Sequence, residues 1–391
     1  MMALTFLTAG ESHGPALTAI LEGLPAGLPL TAEAINQDLA RRQQGFGAGP
    51  RMKIEHDQVQ ILSGVMEGLT TGAPLSFLIV NRDHEKWRGQ AVPPFTRPRP
   101  GHADLTGAVK YGYSDLRPAL ERASARETAA RVAVGAVCRL FLAQFGIQVG
   151  GYVCSIGEID ANLGEMDLAE RIRQGRESEV GCPQPEVAQA MHTRIQQVMQ
   201  SRDTLGGVIE VVVLGLPPGL GSYSQWDRRL DARLGAAVLS IQAIKGVEIG
   251  PAFENSRLTG TQVHDPILVD GERLVRPTNR SGGLEGGITT GQPLLVRAAM
   301  KPIATTLSPQ ETVDLASGQP VPTQYERSDF CPVPRAVVVV EAMLAFVLAD
   351  ALLEKLGGDS LGELLPRFAA LRQMRLLDLP MDALEHTWWP A

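Results

Sequence analysis

Two long apolar helical stretches, residues 129–145 and 336–356, limit most strongly how this 391-residue chain can fold. The first is rich in Ala and Gly, with small residues on several faces, so it packs closely against neighbours and reads as a buried central helix. The second opens with the most apolar run of the chain, residues 336–349, which Glu341 interrupts and which is too short to span a bilayer. Hydrophobic residues make up 44% of the chain and charged ones 20%, enough to bury a sizeable core and to exclude wholesale disorder. At about 150 residues per domain, the length alone suggests two to three domains.

Short strands, tight turns and helices surround these stretches. Residues 4–8 and 16–21 read as strands separated by Gly10-Glu11-Ser12-His13-Gly14, followed by a turn, GLPAGL at 23–28, and a helix capped by Thr31. The series recurs as a β-branched run at 208–214, GLPPGL at 215–220 and a helical pattern over 227–243. Two copies of strand, turn and helix suggest an internal pseudo-repeat, about 1–150 and 205–356, inside one domain spanning 1–391. Residues 93–101 are too proline-rich for a helix, 185–200 form an amphipathic surface helix, and 361–374 are a further helical candidate. The glycine-dense loop 279–291 enters a strand at 293–300. Strands and helices mix without regular βαβ alternation, which favours an α+β fold.

Charge narrows the function. The net charge of −7 argues against a general nucleic-acid binder. Residues 82–139 nevertheless hold 11 Lys and Arg against 6 Asp and Glu, a basic island in an acidic chain, as suits a small anionic ligand. Cys138, Cys154, Cys182 and Cys331 are far apart, without CxxC or Cys/His clustering, and read as thiols of a reducing compartment. No signal-peptide pattern opens the chain. The expectation is a cytoplasmic, soluble protein with no metal site.

There is no phosphate loop, GxGxxG between strand and helix, HExxH or GxSxG, and GFGAG at 45–49 has the wrong context for a dinucleotide site. Ser124 followed by Glu127 reads as a capping box that starts a helix, with Arg122 and Arg126 flanking its N-terminus as a clamp for phosphate or carboxylate. An ordinary cap with two solvated arginines explains the same residues. The four glycines in 281–287 let backbone approach a ligand or simply form a wide turn. Arg327 and Asp329 stand at a helix entrance, where a structural salt bridge is the commoner role. His13 and His102 lie on glycine-containing loops, where a proton-transfer residue or a plain surface histidine would both fit. His56, His84, His192, His264 and His386 read as surface or structural.

GESHG, RPGHAD, RASARETAARVAVGAV, SGGLEGGITTGQ, KPIAT and ERSDFCPVPRA leading into EAMLAFVLA occur in that order. Together they closely resemble the chorismate synthase family, from Leu4 to about Leu356. The resemblance implies a β-α-α-β sandwich of two related halves, usually a homotetramer. It implies a lyase that converts 5-enolpyruvylshikimate 3-phosphate to chorismate by anti-1,4-elimination of phosphate, the last step of the shikimate pathway. Reduced FMN is required although no net redox change occurs. By the same resemblance, His13 stabilises the reduced flavin, His102 protonates the departing phosphate, and Asp329 lies near flavin N5. Arg122, Ala123 and Ser124, Gln242 and Ala243, Gly286, Lys301, Pro302, Ile303, Ala304 and Thr305, and Arg327 match the FMN segments. Arg42 matches an arginine of the substrate mouth also assigned to NADPH. A second family arginine is replaced here by Ala48, which removes one cationic contact to substrate or pyridine nucleotide. Reduced FMN can come from NADPH through this chain or from a separate reductase. Two other classes remain open: a flavin-dependent oxidoreductase acting on an anionic small molecule, and a non-catalytic anion-binding protein.

Overall fold

A computed structural model describes residues 4–49, 56–164, 166–326 and 328–389. Two helices form its middle, Thr128–Ala143 and Val333–Leu356, and they lie directly against each other. A Cβ on Gly135 would stand 2.2 Å from the Cβ of Ala342, so the helices approach this closely only because one of them carries no side chain there. The helix Val333–Leu356 begins three residues before the expected stretch and, at 24 residues, is long and apolar enough to cross a membrane by length and composition. In its most apolar window 89% is buried inside the protein, which makes it a core helix.

An antiparallel sheet flanks each helix. On the side of Thr128–Ala143 the strand order is Thr5–Ala9, Ala16–Glu22, Leu75–Val80, Val59–Ser63. On the side of Val333–Leu356 it is Ile159–Asp160, Gln148–Ile156, Gly207–Leu214, Leu294–Met300, Ile244–Ile249. The protein is thus of mixed α and β content, with its two central helices between the larger sheets they contact. Glu341, the one charge in the apolar run, is buried at the seam. Its carboxylate accepts the Gly151 N–H at 2.8 Å and a bidentate pair from Arg41 at 2.7 and 2.9 Å. Burial opposes the charge on Arg41, but Glu341 and Asp38 outweigh it and raise its pKa further.

The two GLPxGL turns are built alike. Thr70 Oγ1 donates to Pro25 O at 2.7 Å and accepts from Leu28 N at 2.9 Å. Thr289 Oγ1 donates to Pro217 O at 2.7 Å and accepts from Leu220 N at 2.8 Å. The backbone of each threonine also bonds its turn in the same two places, to Gly27 and Leu28 or to Gly219 and Leu220. Both threonines open a TTGxPL string, TTGAPL at 70–75 and TTGQPL at 289–294, that leads into a central strand. The helices Ala32–Gln43 and Leu230–Leu239 follow the two turns and pack on the two central helices. We propose that about 1–150 and 205–356 are two related halves of a single domain spanning 1–391.

Several local expectations shift. Thr31 caps its helix, accepting from Ala34 N at 3.3 Å. The helix expected over 227–243 is confined to Leu230–Leu239, and the one expected over 361–374 ends at Ala369 with Pro366 inside it. Ser124 is extended and accepts from Arg126 N, so it caps a single turn, Ala125–Glu127, before the long helix begins at Thr128. The Glu127 carboxylate bonds Thr8, Arg131 and Gln242 and does not close a capping box.

Gly135→Ala tests the helix contact. Alanine favours helix by about 1 kcal/mol, yet overpacking costs about 1–3 kcal/mol and here meets backbone as well as side chain. The expected result is a lower denaturation midpoint with an unchanged m-value; a midpoint at or above that of the parent chain would contradict the packing.

Candidate active site

The GESHG segment joins strands Thr5–Ala9 and Ala16–Glu22. Gly10 turns the chain at φ +110°, where any Cβ would meet Ala16 O at 2.4 Å. Asn81 Nδ2 ties the loop down by donating to Glu11 O at 3.1 Å and Gly14 O at 2.8 Å. Glu121 takes hold of His13 twice, accepting its backbone N–H at 2.7 Å and bonding Nδ1 at 2.8 Å. Burial alone would raise the Glu121 carboxyl, but the hydrogen bond and charge of His13 outweigh it and lower its pKa. The His13 ring packs against Trp87, with centroids 4.6 Å apart, and the buried Asp83 lies 4.0 Å from Nε2. His84, read above as surface or structural, bonds His13 O through Nδ1 at 2.9 Å.

His102 sits on the second loop. Its Nδ1 is 2.6 Å from Asp104 Oδ1, and the Arg99 guanidinium lies against the ring edge, 3.0 Å from Nδ1 and 3.3 Å from Nε2. Asp104 is fully buried. Desolvation works to raise its pKa, yet hydrogen bonds from Arg99 and His102 hold it well below the usual carboxylate range. Lys301 Nζ donates to Gly101 O at 2.5 Å, and Arg99 Nη1 donates to Thr305 Oγ1 at 3.2 Å. The 301–305 segment is thereby joined to the His102 loop. Thr204 Oγ1 holds it from behind at Ile303 O, and Pro302 and Ala304 lie close to Gly206 and Gly101.

Ser328 Oγ donates to Thr305 O at 2.9 Å, which carries the network on to Asp329. Asp329 accepts from Gly49 N–H and from Arg335 Nη1, both at 2.7 Å. A Cβ on Gly49 would stand 2.4 Å from Ser328 O, so the glycines around Ala48 serve close backbone packing. Arg327 lies outside the described residues. Arg42 is buried, donating from Nε to Thr128 Oγ1 at 2.9 Å and from Nη2 to Ala125 O at 3.0 Å. Its Nη1 is 3.3 Å from Asp57, whose carboxylate also takes Arg126 Nη1 at 2.6 and 2.7 Å. Burial pushes the Arg42 pKa down to about 10; the nearby Arg126 and Arg335 cations act in the same direction, against Asp57 and Asp329. Among the described residues three guanidinium groups thus face two carboxylates, an arrangement that attracts an anion. Arg126 Nε bonds Asn81 Oδ1 at 2.8 Å, which returns the network to the His13 loop. His13, His102 and Asp329 therefore belong to one connected set of contacts.

A separate cleft of about 450 Å³ is lined by Phe6, Thr8, Arg122, Arg131, Ser240 and Gln242, among others. Arg122 Nη2 reaches Thr8 O and Oγ1, both at 3.0 Å, while Ser124 Oγ donates to Ser12 Oγ at 3.1 Å. The expected clamp of Arg122 with Arg126 does not form. Helix Arg117–Ala123 ends at the extended Ser124, so the exposed Arg122 and the buried Arg126 serve different places. Gln242 Nε2 donates to Glu127 at 3.2 Å, and its buried Oε1 has no partner among the described residues. Ala243 is held at φ +67°, a conformation that costs a side chain about 1–3 kcal/mol, with its carbonyl accepting from Lys301 N at 3.0 Å. Gly286 is not brought to this cleft. It forms the tip of the hairpin Leu284–Glu285/Ile288–Thr289, which packs near Arg229, at the far end of helix Leu230–Leu239 from Ser240. Gly282, Gly283 and Gly287 each abut backbone or Arg229 within 3 Å, so close packing explains those glycines, and a positive φ of 60° explains Gly286.

Asp57, Asn81, Arg99, Asp104, Glu121 and Arg335 were not singled out from the sequence. Arg99, Asp104 and Arg335 stand inside motifs that drew attention, so position was available as a signal. For Asp57, Asn81 and Glu121 no local pattern marks a role, because each acts across 45 or more residues or through a partner on another element.

The family model described as chorismate synthase matches residues 4–353. The chain is 52% identical over 387 residues to the chorismate synthase of Chlorobaculum tepidum, covering 94% of this chain and 98% of that one. It is 53% identical over 383 residues to that of Aquifex aeolicus, covering 93% and 96%. A crystal structure of a chorismate synthase superposes with a TM-score of 0.78 at 47% identity, covering 94% of this chain and 97% of the other.

The Glu121 contact has a pH signature. Its lowered pKa means its stabilisation is present above the ordinary glutamate range near 4.5 and fades as pH falls below it. Glu121→Gln should cost about 1–3 kcal/mol at pH 7, and the gap to the parent chain in urea denaturation should narrow toward pH 4. A gap that keeps widening as pH falls below about 4.5 would contradict this.

Proposed function

The chain belongs to the chorismate synthase family of lyases, and from that membership we propose that it eliminates phosphate from 5-enolpyruvylshikimate 3-phosphate to give chorismate. The connected contact set around His13, His102 and Asp329 is the observation that carries this reading. The substrate bears a phosphate and two carboxylates, and the group of Arg42, Arg126 and Arg335 with Lys301 bonded to the His102 loop supplies fixed positive charge for such a load. Cations held in a desolvated site also stabilise the charge that develops on a leaving phosphate.

Flavin mononucleotide fits the residues of the cleft beside this set. Two guanidinium groups, Arg122 and Arg131, suit a phosphate, and the unpartnered buried Gln242 Oε1 suits a ring N–H donor. When bound, reduced flavin supplies a transient source of electron density with no net oxidation or reduction. Arg122 and Gln242 would hold it; Gly286 lies apart within one chain. His102 gives a proton to the phosphate oxygen as the C–O bond breaks and its electron pair leaves with phosphate, while the C6 proton is lost to a base in the site and its C–H pair enters the ring as the second double bond. His13, fixed by Glu121, and Asp329, fixed by Gly49 and Arg335, present a second imidazole and a carboxylate to the same site. NADPH as reductant, assembly as a homotetramer and residence in the cytoplasm are part of the proposal. Four free cysteines, three of them buried, suit that compartment.

Anaerobic phosphate release with photoreduced FMN tests the reaction: phosphate should exceed the flavin reduced, without consumption of further reductant. One reductant spent per product would instead identify an oxidoreductase, and no phosphate release a binding protein. His102→Ala should retain FMN binding and lose about 10²–10⁴-fold in turnover, the usual worth of a general acid. Arg122→Ala should weaken FMN in a fluorescence titration; an unchanged affinity would remove Arg122 from the phosphate site.

A further inference from the structure

We propose that Asp104, locked in place by Arg99, is the positioning residue that decides which ring nitrogen of His102 faces the substrate. The inference rests on the reading of His102 as the proton donor and extends it to residues that contact His102 rather than substrate.

Each Asp104 oxygen has defined partners. Oδ2 accepts the backbone N–H of Arg99 at 3.0 Å and its Nε at 2.8 Å. Oδ1 accepts Arg99 Nη2 at 2.9 Å and faces His102 Nδ1 at 2.6 Å. An ionised carboxylate can only accept, so Nδ1 must carry the proton, and Nε2 is the nitrogen left for reaction. Asp104 side-chain exposure is 0% while that of His102 is 20%, so the anchor is dry and the ring edge is open. Arg99 is fixed independently, by Thr305 Oγ1 and by packing over Phe95, 5.6 Å from the ring centroid. The His102 N–H closes the loop on Arg99 O at 3.2 Å. With a neutral imidazole the three side chains sum to zero charge, and the cation and the anion meet the ring on one edge. After His102 has given up its Nε2 proton, the Nδ1 proton stays on the bond to Asp104 and the ring keeps its orientation.

Asp104→Asn keeps the shape but offers an amide that can donate to Nδ1, which favours the opposite tautomer. With the full chain, photoreduced FMN and no oxygen, kcat should fall about 10²–10⁴-fold while KM and FMN affinity stay near the parent values, and Asp104→Glu should recover part of kcat. A folded Asp104→Asn with parental kcat overturns the proposal. Should both variants fail to fold, ¹⁵N-histidine NMR of the unaltered FMN complex decides. The His102 signal, assigned by its loss in His102→Gln, should show a proton held on Nδ1, and a ring protonated on Nε2 alone overturns the proposal. Parental turnover in His102→Gln would remove the acid role itself, whereas an inactive His102→Gln beside a fully active Asp104→Asn removes only the positioning role.

Discussion

The close contact of two central helices at Gly135 and Ala342 sets the spacing of everything outside them. Because the pair is apolar and small on the shared side, each helix can turn its other faces to a sheet, and the layers form with no polar gap between them. The one charge in the apolar run of the second helix, residues 336–349, is Glu341, which is kept there because Arg41 and the Gly151 N–H satisfy it from a neighbouring helix and strand. A buried carboxylate without those partners would cost several kcal/mol.

On this frame the two imidazoles are mounted in the same manner. Each is bonded through Nδ1 to a carboxylate, Glu121 for His13 and Asp104 for His102, whose pKa is lowered by the partners around it. The carboxylates come from a helix and from the start of a helix, whereas the histidines stand on glycine loops. Rigid elements thus orient side chains that loops expose, as the proposed proton transfer beside an anionic ligand would require. The arginine group has the complementary role. Arg126 and Arg335 lie close enough to act with burial in lowering the Arg42 pKa, and the interleaved Asp57 and Asp329 oppose them.

The same turn recurs beside each of the two larger sheets. In each, one threonine hydroxyl bridges a proline carbonyl and a leucine N–H, closing a turn that cannot satisfy those groups itself. The hexapeptide was legible in the chain; its partner string, TTGxPL, lies 42 residues or more downstream and gains meaning only once the hydrogen bonds join the two.

The chain alone disclosed the apolar helices, four of the nine strands of the two larger sheets, the motif loops and the family resemblance, since periodicity, glycine and proline content and motif strings are local properties. It also made Ser124 look like the start of a long helix with an arginine clamp, which extended backbone at that residue undoes. Which carboxylate holds which histidine, which arginine is buried and which exposed, and why Gly286 stands apart from Gln242 were decided by tertiary packing. Hydrogen bonds and charge coupling depend on distance in space, and a contact such as Asp57 to Arg126, 69 positions apart, leaves no trace in the order of residues.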